Sequence, residues 1–323
     1  MKGRCPVDAP AVCWGEVLWD IFPSGRYLGG APANVAYHLA VLGEPAGLIS
    51  RVGDDEPGRA AIAALASRGV DVSGIQRDPG RPTGRVEVTI TDGDASYLLV
   101  PGCAWEYITI DSDRDGDGGS DGDGQRGSGA RALLARAGSF CYGTLSQLRG
   151  TDRFEAAVAL LPGECIKVCD VNLRPRYVDM ASLRVALVHA DVVKINHREV
   201  EILAQRFSVR ELIPWLRDEF GVAIVAETRG ERGSALHNRD GTWEHPGFAA
   251  DEFVSPDASD GDNVGAGDSY TAVLTALLRR GRPLDEIARA GNRYGAFIAS
   301  QRGATPEVPE HVLRDTLGEP DDS

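Results

Sequence analysis

No apolar run in this chain approaches the ~18 residues that cross a bilayer, and its N-terminus lacks the apolar core of a secretion signal. A cytoplasmic protein is therefore expected. The six histidines form no HExxH or similar metal set. The six cysteines (Cys5, Cys13, Cys103, Cys141, Cys165, Cys169) include no CxxC pair and no metal-ligand spacing with histidine. Reduced cysteines in a core are the plain reading. The absence of a GxxxxGK(S/T) loop excludes an ordinary P-loop nucleoside triphosphatase, and without GxGxxG after the first strand a dinucleotide dehydrogenase is disfavoured. Positive charge is also short: 34 Lys and Arg against 48 Asp and Glu give a formal net charge of −14 and a pI near 4.9. That argues against nucleic acid or anionic membrane as a partner. Any phosphate chemistry must draw on backbone dipoles, a few basic residues and metal ions.

What the chain does have is length, with 323 residues of which 42% are apolar, enough for one large α/β domain or two smaller ones. It also has one organising stretch, Asp262-Asn263-Val264-Gly265-Ala266-Gly267-Asp268. Behind it, Tyr270, Val273, Leu274, Leu277 and Leu278 fall on one face of a helix that stops at Gly281 before Pro283. Glycines just ahead of a helix expose bare N–H groups at its positive end, which suits an anion and above all a phosphate. Asp268 sits in the first turn, beside the place where that anion would rest. A glycine-rich loop with an acidic first-turn residue is also common without any function. A carboxylate at an anion site needs a task there, such as taking a proton from a nucleophile.

Taken in order, Val12 to Leu18 reads as a strand, followed by Asp20. A helix begins at Pro32 after Gly29-Gly30, with Asn34 in its first turn. Ala46 to Arg51 is a strand and Pro57 to Arg68 a helix. Val86–Ile90 and Ser96–Pro101 read as a hairpin in a small separate sheet. Residues 111–129 hold six Asp, seven Gly and no apolar side chain. A calcium loop would need a glutamate where Gly122 stands, so 111–130 reads as a solvated, disordered insertion. From Ser139 onward strands (139–142, 166–170, 191–195, 222–226) alternate with helices (152–161, 180–189, 199–205, 209–219), the grammar of a parallel sheet between helix layers.

Ligands of such sheets bind beyond the carboxyl ends of the strands. Asp170-x-Asn172-x-Arg174, Asn196-x-x-Glu199 and Thr228-x-Gly230-x-x-Gly233 all follow strands, on the same rim as the Gly265–Asp268 turn. Glu199 suits a magnesium ion, directly or through water, and the Asn196-x-x-Glu199 spacing fits a helix cap nearly as well. Thr228–Gly233 offers N–H groups to phosphates, or is an ordinary hairpin turn.

These motifs resemble the ribokinase-like (PfkB) carbohydrate kinases, and among them the fructokinase-like branch. Gly29–Ala36 through Arg51-Val52-Gly53-Asp54-Asp55 is similar to the family's N-terminal signature, and Asp262–Asp268 to its C-terminal one. Gly15 through Asp20, the three rim motifs, Gly303-Ala304 and Pro309 also match, so the resemblance spans about residues 11 to 310.

The resemblance implies a single domain over residues 1–323, a three-layer α/β/α Rossmann-like ribokinase fold with a small β-sheet lid at about 17–28 and 84–101. The activity implied is ATP-dependent phosphorylation of a sugar hydroxyl with Mg2+. Asp268 takes the general-base position, with Gly265, Ala266 and Gly267 as the anion hole. Asp20, Gly29, Gly30, Asn34 and Arg174 fall at sugar positions, and Asn196, Thr228, Gly230, Gly233 and Asn292 at nucleotide positions. Glu199 matches the residue that organises magnesium. A loop for a monovalent cation such as K+ would involve Asp262, Val264, Ile298, Gln301 and Gly303. A homodimer through the lid belongs to the same set of expectations. The chain departs from the family where Ser255–Gly261 is polar instead of an apolar strand, where Asn263 replaces Thr, and where Ser269-Tyr270 follows the base. Fructose is the first choice of substrate. 2-Keto-3-deoxygluconate, ribose or a nucleoside are alternatives, as is a catalytically inactive sugar-binding homologue.

Overall fold

The computed structural model describes residues 8–22, 25–91, 94–110, 128–174, 176–253 and 263–318. The N-terminal half contains β1 (Ala11–Trp14), β2 (Leu18–Phe22), β3 (Gly25–Gly29), α1 (Ala31–Val41), β4 (Ala46–Gly53), α2 (Glu56–Ala66), β5 (Ile75–Asp78), β6 (Gly84–Thr91) and β7 (Asp94–Leu99). After it come α3 (Ser128–Arg136), β8 (Ser139–Gly143), α4 (Asp152–Val158), β9 (Ile166–Asp170), α5 (Met180–Val188), β10 (Val192–Asn196), α6 (His197–Phe207) and α7 (Leu212–Phe220). The chain ends with β11 (Ile224–Thr228), β12 (Ser234–His237), β13 (Thr242–His245), α8 (Ala266–Arg279), α9 (Leu284–Ala299) and α10 (Glu310–Leu317).

Nine strands form the main sheet in the order β13-β12-β11-β10-β9-β8-β1-β4-β5, parallel from β11 through β5. Its strands are apolar on both faces because helices cover both. Val12 and Trp14 of β1 pack with Leu133, Phe154, Leu183, Leu203 and Leu216 of α3 to α7. Ala11 and Cys13 pack with Leu39, Leu65, Leu274, Ile287 and Val312 of α1, α2 and α8 to α10. This is the three-layer ribokinase fold. The sequence runs outward from β1 in both directions, toward β5 and toward β11, so β1 and β8 mark the topological switch point where a ligand crevice is expected.

The second sheet has the order β3-β2-β6-β7 and forms the lid. The expected strand from Val12 to Leu18 is in fact two strands in two sheets. The chain leaves β1 at Gly15, whose φ of 143° breaks the run, and Leu18 then pairs with Gly29 and Gly84. Both halves are apolar, so periodicity alone joined them. The acidic segment assigned to 111–130 lies outside the described residues from 111 to 127. Its last residues, Ser128 to Ala130, open α3, where Gly129 lies so close to the Ser73 carbonyl that a Cβ would be 2.1 Å from it. The five cysteines among the described residues are free and buried.

One buried group ties the C-terminal segment to the rest. His38 is fully buried in α1, with Nδ1 3.0 Å from the Tyr294 hydroxyl and Nε2 2.9 Å from the Ala304 carbonyl. The carbonyl can only accept, so Nε2 carries a proton. Burial pushes the His38 pKa down to about 4. The unfolded chain takes up this proton near pH 6.5, while the folded one resists until about 4. Stability that His38 allows above pH 6.5 should therefore be lost as pH falls toward 4, by up to about 3 kcal/mol. Urea melts of the wild type and His38→Gln at pH 7 and 4.5 check this. The wild type should lose more stability over the interval than the variant, and parallel losses would exclude His38 as the cause.

Candidate active site

Two helices begin opposite each other at the switch point. α1 starts after Gly30 and α8 after Gly265, glycines that supply no capping side chain. Gly30 has φ 105°, and a Cβ there would sit 2.4 Å from the Glu16 carbonyl. Gly265 has φ 80°, and a Cβ there would sit 2.6 Å from the Ala304 Cα. The first N–H groups of α8 are left bare to an anion, whereas at α1 the Ala31 N–H donates to Glu16 Oε1 at 3.3 Å.

The two starts are joined by one hydrogen bond: Asn34 Nδ2 donates to Asp268 Oδ2 at 2.8 Å. The other end of the Asn34 amide, Oδ1, is buried without a partner. Asp268 stays partly accessible from the cleft, yet protein surrounds it. Burial, then repulsion from Asp170, pushes its pKa up to about 6, against the opposing pull of Asn34, Lys194 and Arg174. A carboxylate with a pKa near neutrality is suited to proton transfer.

Beneath Asp268 lies a buried ion pair. Lys194 and Asp170 face each other in register on β10 and β9, on the face that packs against α8. Lys194 Nζ is 3.2 Å from both oxygens of Asp170, and the Thr271 hydroxyl donates to Asp170 Oδ2 at 2.6 Å. Burial alone would lower the Lys194 pKa, but Asp170, Glu199 and Asp268 together hold it above its ordinary value. A Cβ on Gly267 would come within 2.9 Å of Lys194 Nζ, so the cation reaches the turn ahead of Asp268.

Asn34, Lys194, Gly267 and Asp268 line one cleft of about 940 Å3. Its lid end holds Asp20, Gly30, Asn34, Arg174 and the apolar Leu18, Val86 and Leu99. Arg174 is exposed, and its Nη1 donates at 2.7 Å to Asn172 Oδ1, which belongs to a residue with positive φ, 35°. The far end holds Asn196, Thr228, Gly230, Gly233 and Asn292, with Val264, Gly265, Ala266, Gly267 and Asp268 between. Of the rim motifs, Asn172, Arg174, Asn196, Thr228, Gly230 and Gly233 meet in this cleft, while Asp170 and Glu199 are buried behind its wall. Asn292 is fixed by donating to Ser234 Oγ and the Ala288 carbonyl.

Other candidates lie elsewhere. Gly29 is not on the cleft wall; the Asp20 carboxylate packs across it, 2.3 Å from where a Cβ would be. Glu199 is buried behind the wall and forms the capping box with Asn196. Its oxygens accept the N–H groups of Leu173 at 2.6 Å and Asn196 at 2.9 Å. Of the cation-loop residues, Val264 alone lines the cleft. Ile298 has a fully buried side chain, Gln301 donates to Ser300 Oγ at 2.9 Å, Gly303 lies beside Tyr27, and Asp262 is outside the described residues. No group of three or more His, Cys, Asp or Glu able to hold a metal occurs among the described residues. Sequence reasoning missed Lys194, Glu16 and Phe248 on the cleft wall, while His197, Arg198 and Glu231 belong to the rim motifs it had placed there without a role. Lys194 had a signal: it is one of three lysines and interrupts an apolar strand.

A family model described as "pfkB family carbohydrate kinase" matches residues 23–113 and 133–311. Fructokinase-1 of Oryza sativa subsp. japonica is 28% identical over 346 residues, covering 97% of each chain. The fructokinase of Escherichia coli is 28% identical, covering 91% of this chain and 94% of its own. The structure of a Xylella fastidiosa fructokinase with bound ATP superposes with a TM-score of 0.80 at 20% identity, covering 97% of this chain and 99% of that one.

Removing one partner of a buried ion pair leaves the other charge uncompensated, which typically destabilises by ~3–5 kcal/mol. Lys194→Met should lower stability by that order, and Lys194→Met/Asp170→Leu should recover a large part of it. Denaturant melts decide; a single variant as stable as the wild type would contradict the pairing.

Proposed function

The chain belongs to the pfkB family of carbohydrate kinases, and from that premise we propose that it transfers the γ-phosphoryl group of ATP to a hydroxyl of a monosaccharide, fructose first among candidates. The observation that carries this reading is Asp268, a carboxylate with its pKa near 6 at the uncapped start of α8, held by Asn34. In this reading the sugar lies at the lid end against Asp20, Gly30, Asn34 and Arg174. The nucleotide lies along Asn196, Thr228, Gly230, Gly233 and Asn292. Asn34 Oδ1, buried without a partner, is suited to accept a hydroxyl hydrogen.

The step balances as follows. Asp268 takes the proton of the attacking hydroxyl, the new P–O bond forms as the bond to the bridging oxygen breaks, and ADP keeps that oxygen. N–H groups of Ala266, Gly267 and Asp268 at the positive end of α8, with Lys194 beneath, face the charge on the transferring group. Magnesium, when bound, would neutralise phosphate charge. The described residues offer it no carboxylate cluster, so it fits as the nucleotide's own companion ion, held largely by phosphate and water. Glu199 contributes by fixing Asn196 and the backbone at Leu173. Relatives named fructokinase at 28% identity support fructose among the sugars. Exposed Ile21 and Leu98, both opposite Glu87 on one face of the lid, suit a homodimer through it. Free buried cysteines fit a reducing, cytoplasmic setting.

Asp268→Asn keeps the Asn34 contact in shape and removes the proton acceptor. Turnover should fall by ~10²–10⁴ while ATP binding persists; a variant with half the wild-type kcat would overturn the assignment. The pH dependence carries a further mark. Below about pH 6 the wild-type rate should drop about tenfold per unit, because protonated Asp268 accepts nothing. The groups that act on this pKa are Asp170, Asn34, Lys194 and Arg174.

Asn34→Ala deletes a bond that holds the pKa down, so the acid limb should move to higher pH. A sugar hydroxyl would also lose its acceptor, and the sugar KM should rise by a factor of about 5–150, equivalent to ~1–3 kcal/mol, with the ATP KM little changed. An acid limb unmoved by Asn34→Ala, or equal rises in both KM values, would place Asn34 outside this role.

A further inference from the structure

Glu16 stands just past β1, at the switch point, and only 5% of it is exposed. Its Oε1 accepts a long hydrogen bond, 3.3 Å, from the Ala31 N–H at the start of α1, and its Oε2 is buried with no partner at all. Yet Glu16 lines the cleft, beside Ala31, Leu145, Asn172 and Arg174. A buried polar atom left unpaired disfavours the fold by about 1–3 kcal/mol unless something else pairs it. The two residues that carry such acceptors, Glu16 with Oε2 and Asn34 with Oδ1, line the same end of the same cleft. Two carboxyl groups line that end, on Glu16 and Asp20, with Asp268 next to it through Asn34, against one guanidinium, Arg174. Lys194 lies deeper and is already committed to Asp170. Such a wall asks its ligand for hydroxyl hydrogens and repels a second negative charge.

We propose that Glu16 is a specificity-determining residue of this cleft: its Oε2 pairs with a hydroxyl of the sugar and makes the site select neutral sugars over sugar acids and sugar phosphates of the same skeleton. The proposal rests on the sugar-kinase reading and narrows its substrate class. Burial pushes the Glu16 carboxyl up to about 7, so near neutrality it exists in both forms. A hydroxyl can answer either, as donor to the carboxylate or as acceptor from the acid. A ligand carboxylate or phosphate can only accept, and it is repelled whenever Glu16, Asp20 or Asp268 is ionised. A purely structural Glu16, holding the start of α1, would act on stability and on both substrates alike.

The test uses steady-state kinetics on wild type, Glu16→Gln and Glu16→Ala with fructose, fructose 6-phosphate and 2-keto-3-deoxygluconate, together with thermal melts. In the wild type, kcat/KM should favour fructose over both anions by at least about tenfold. Glu16→Ala should raise the fructose KM about tenfold or more with the ATP KM and Tm little changed. Glu16→Gln, which keeps a hydrogen-bonding group and removes the charge, should hold the fructose KM nearer the wild type and narrow the preference for fructose over the anions. The proposal is overturned by an unchanged fructose KM in Glu16→Ala, by parallel rises in both KM values with a fallen Tm, or by a wild type that prefers an anion. If the wild type phosphorylates none of the three, the kinase reading falls first. Calorimetric titration of fructose into wild type and Glu16→Ala then decides the proposal separately: it stands if only the wild type binds, and is overturned if neither binds or both bind alike.

Discussion

The hydrogen bond from Asn34 to Asp268 joins residues 234 positions apart, and much of the site depends on it. It holds the starts of α1 and α8 against each other across the switch point of the sheet. Two helix N-termini so placed would repel through their dipoles, and a carboxylate between them relieves that repulsion. Around this contact the backbone is tightly constrained. Gly30 lies against the Glu16 carbonyl and Gly265 against Ala304, and Ala304 is in turn held by His38. At the other end of α8, Arg279 and Arg280 both donate to buried Glu44, on the turn between α1 and β4. The two helices are thus fixed relative to each other at both ends, and the positions of Asn34 and Asp268 follow.

Stability and chemistry pull against each other here. A carboxylate pushed up to about 6 is poorly solvated, and near neutral pH it weakens the fold. Asp170 aggravates this, yet Asp170 is also what keeps Lys194 charged in a buried strand. The arrangement makes sense as a stack of alternating charge from sheet to cleft: Asp170, Lys194, then Asp268 beside the bare N–H groups. Replacing Asp170 and Lys194 with apolar residues would pack well and remove the cation from below the anion site. Local strain fits the same picture, because Asn172 and Asn263, two of the three non-glycine residues with positive φ among the described residues, both line the cleft.

The sequence made legible what depends on short-range pattern. Alternating strands and helices after Ser139 announced the parallel sheet, and glycines followed by a helical period marked both helix starts. What it hid depends on tertiary placement. Lys194 sits in an apolar strand, and only the register of β10 against β9 shows that it meets Asp170. Glu16 read as the middle of one strand because Val12 to Leu18 is apolar on both sides of a break. Glu199 illustrates the opposite case: the Asn-x-x-Glu spacing fitted a metal site and a cap alike, and its two backbone partners show the cap. α3 was hidden because its first residues share the glycine-rich composition of the stretch before it. The hairpin β12–β13 and helices α9 and α10 went unassigned although Asp240-Gly241 marks the hairpin turn and Pro283 and Pro309 precede the two helices.

A protein with a net charge of −14 that takes a nucleotide, as proposed, needs its attraction to be local. At physiological ionic strength charges more than about 8 Å apart across water are largely screened, so surface carboxylates contribute little at the floor of a cleft. The far side of the cleft presents Arg198, glycine turns and the dipole of α8 beside one carboxylate, Glu231, and its lid side presents Glu16 and Asp20 beside one guanidinium, Arg174. Side-chain charge is thus mixed at both ends. What distinguishes the middle of the crevice is the set of bare backbone N–H groups at the start of α8, whose attraction for an anion does not depend on the net charge of the chain.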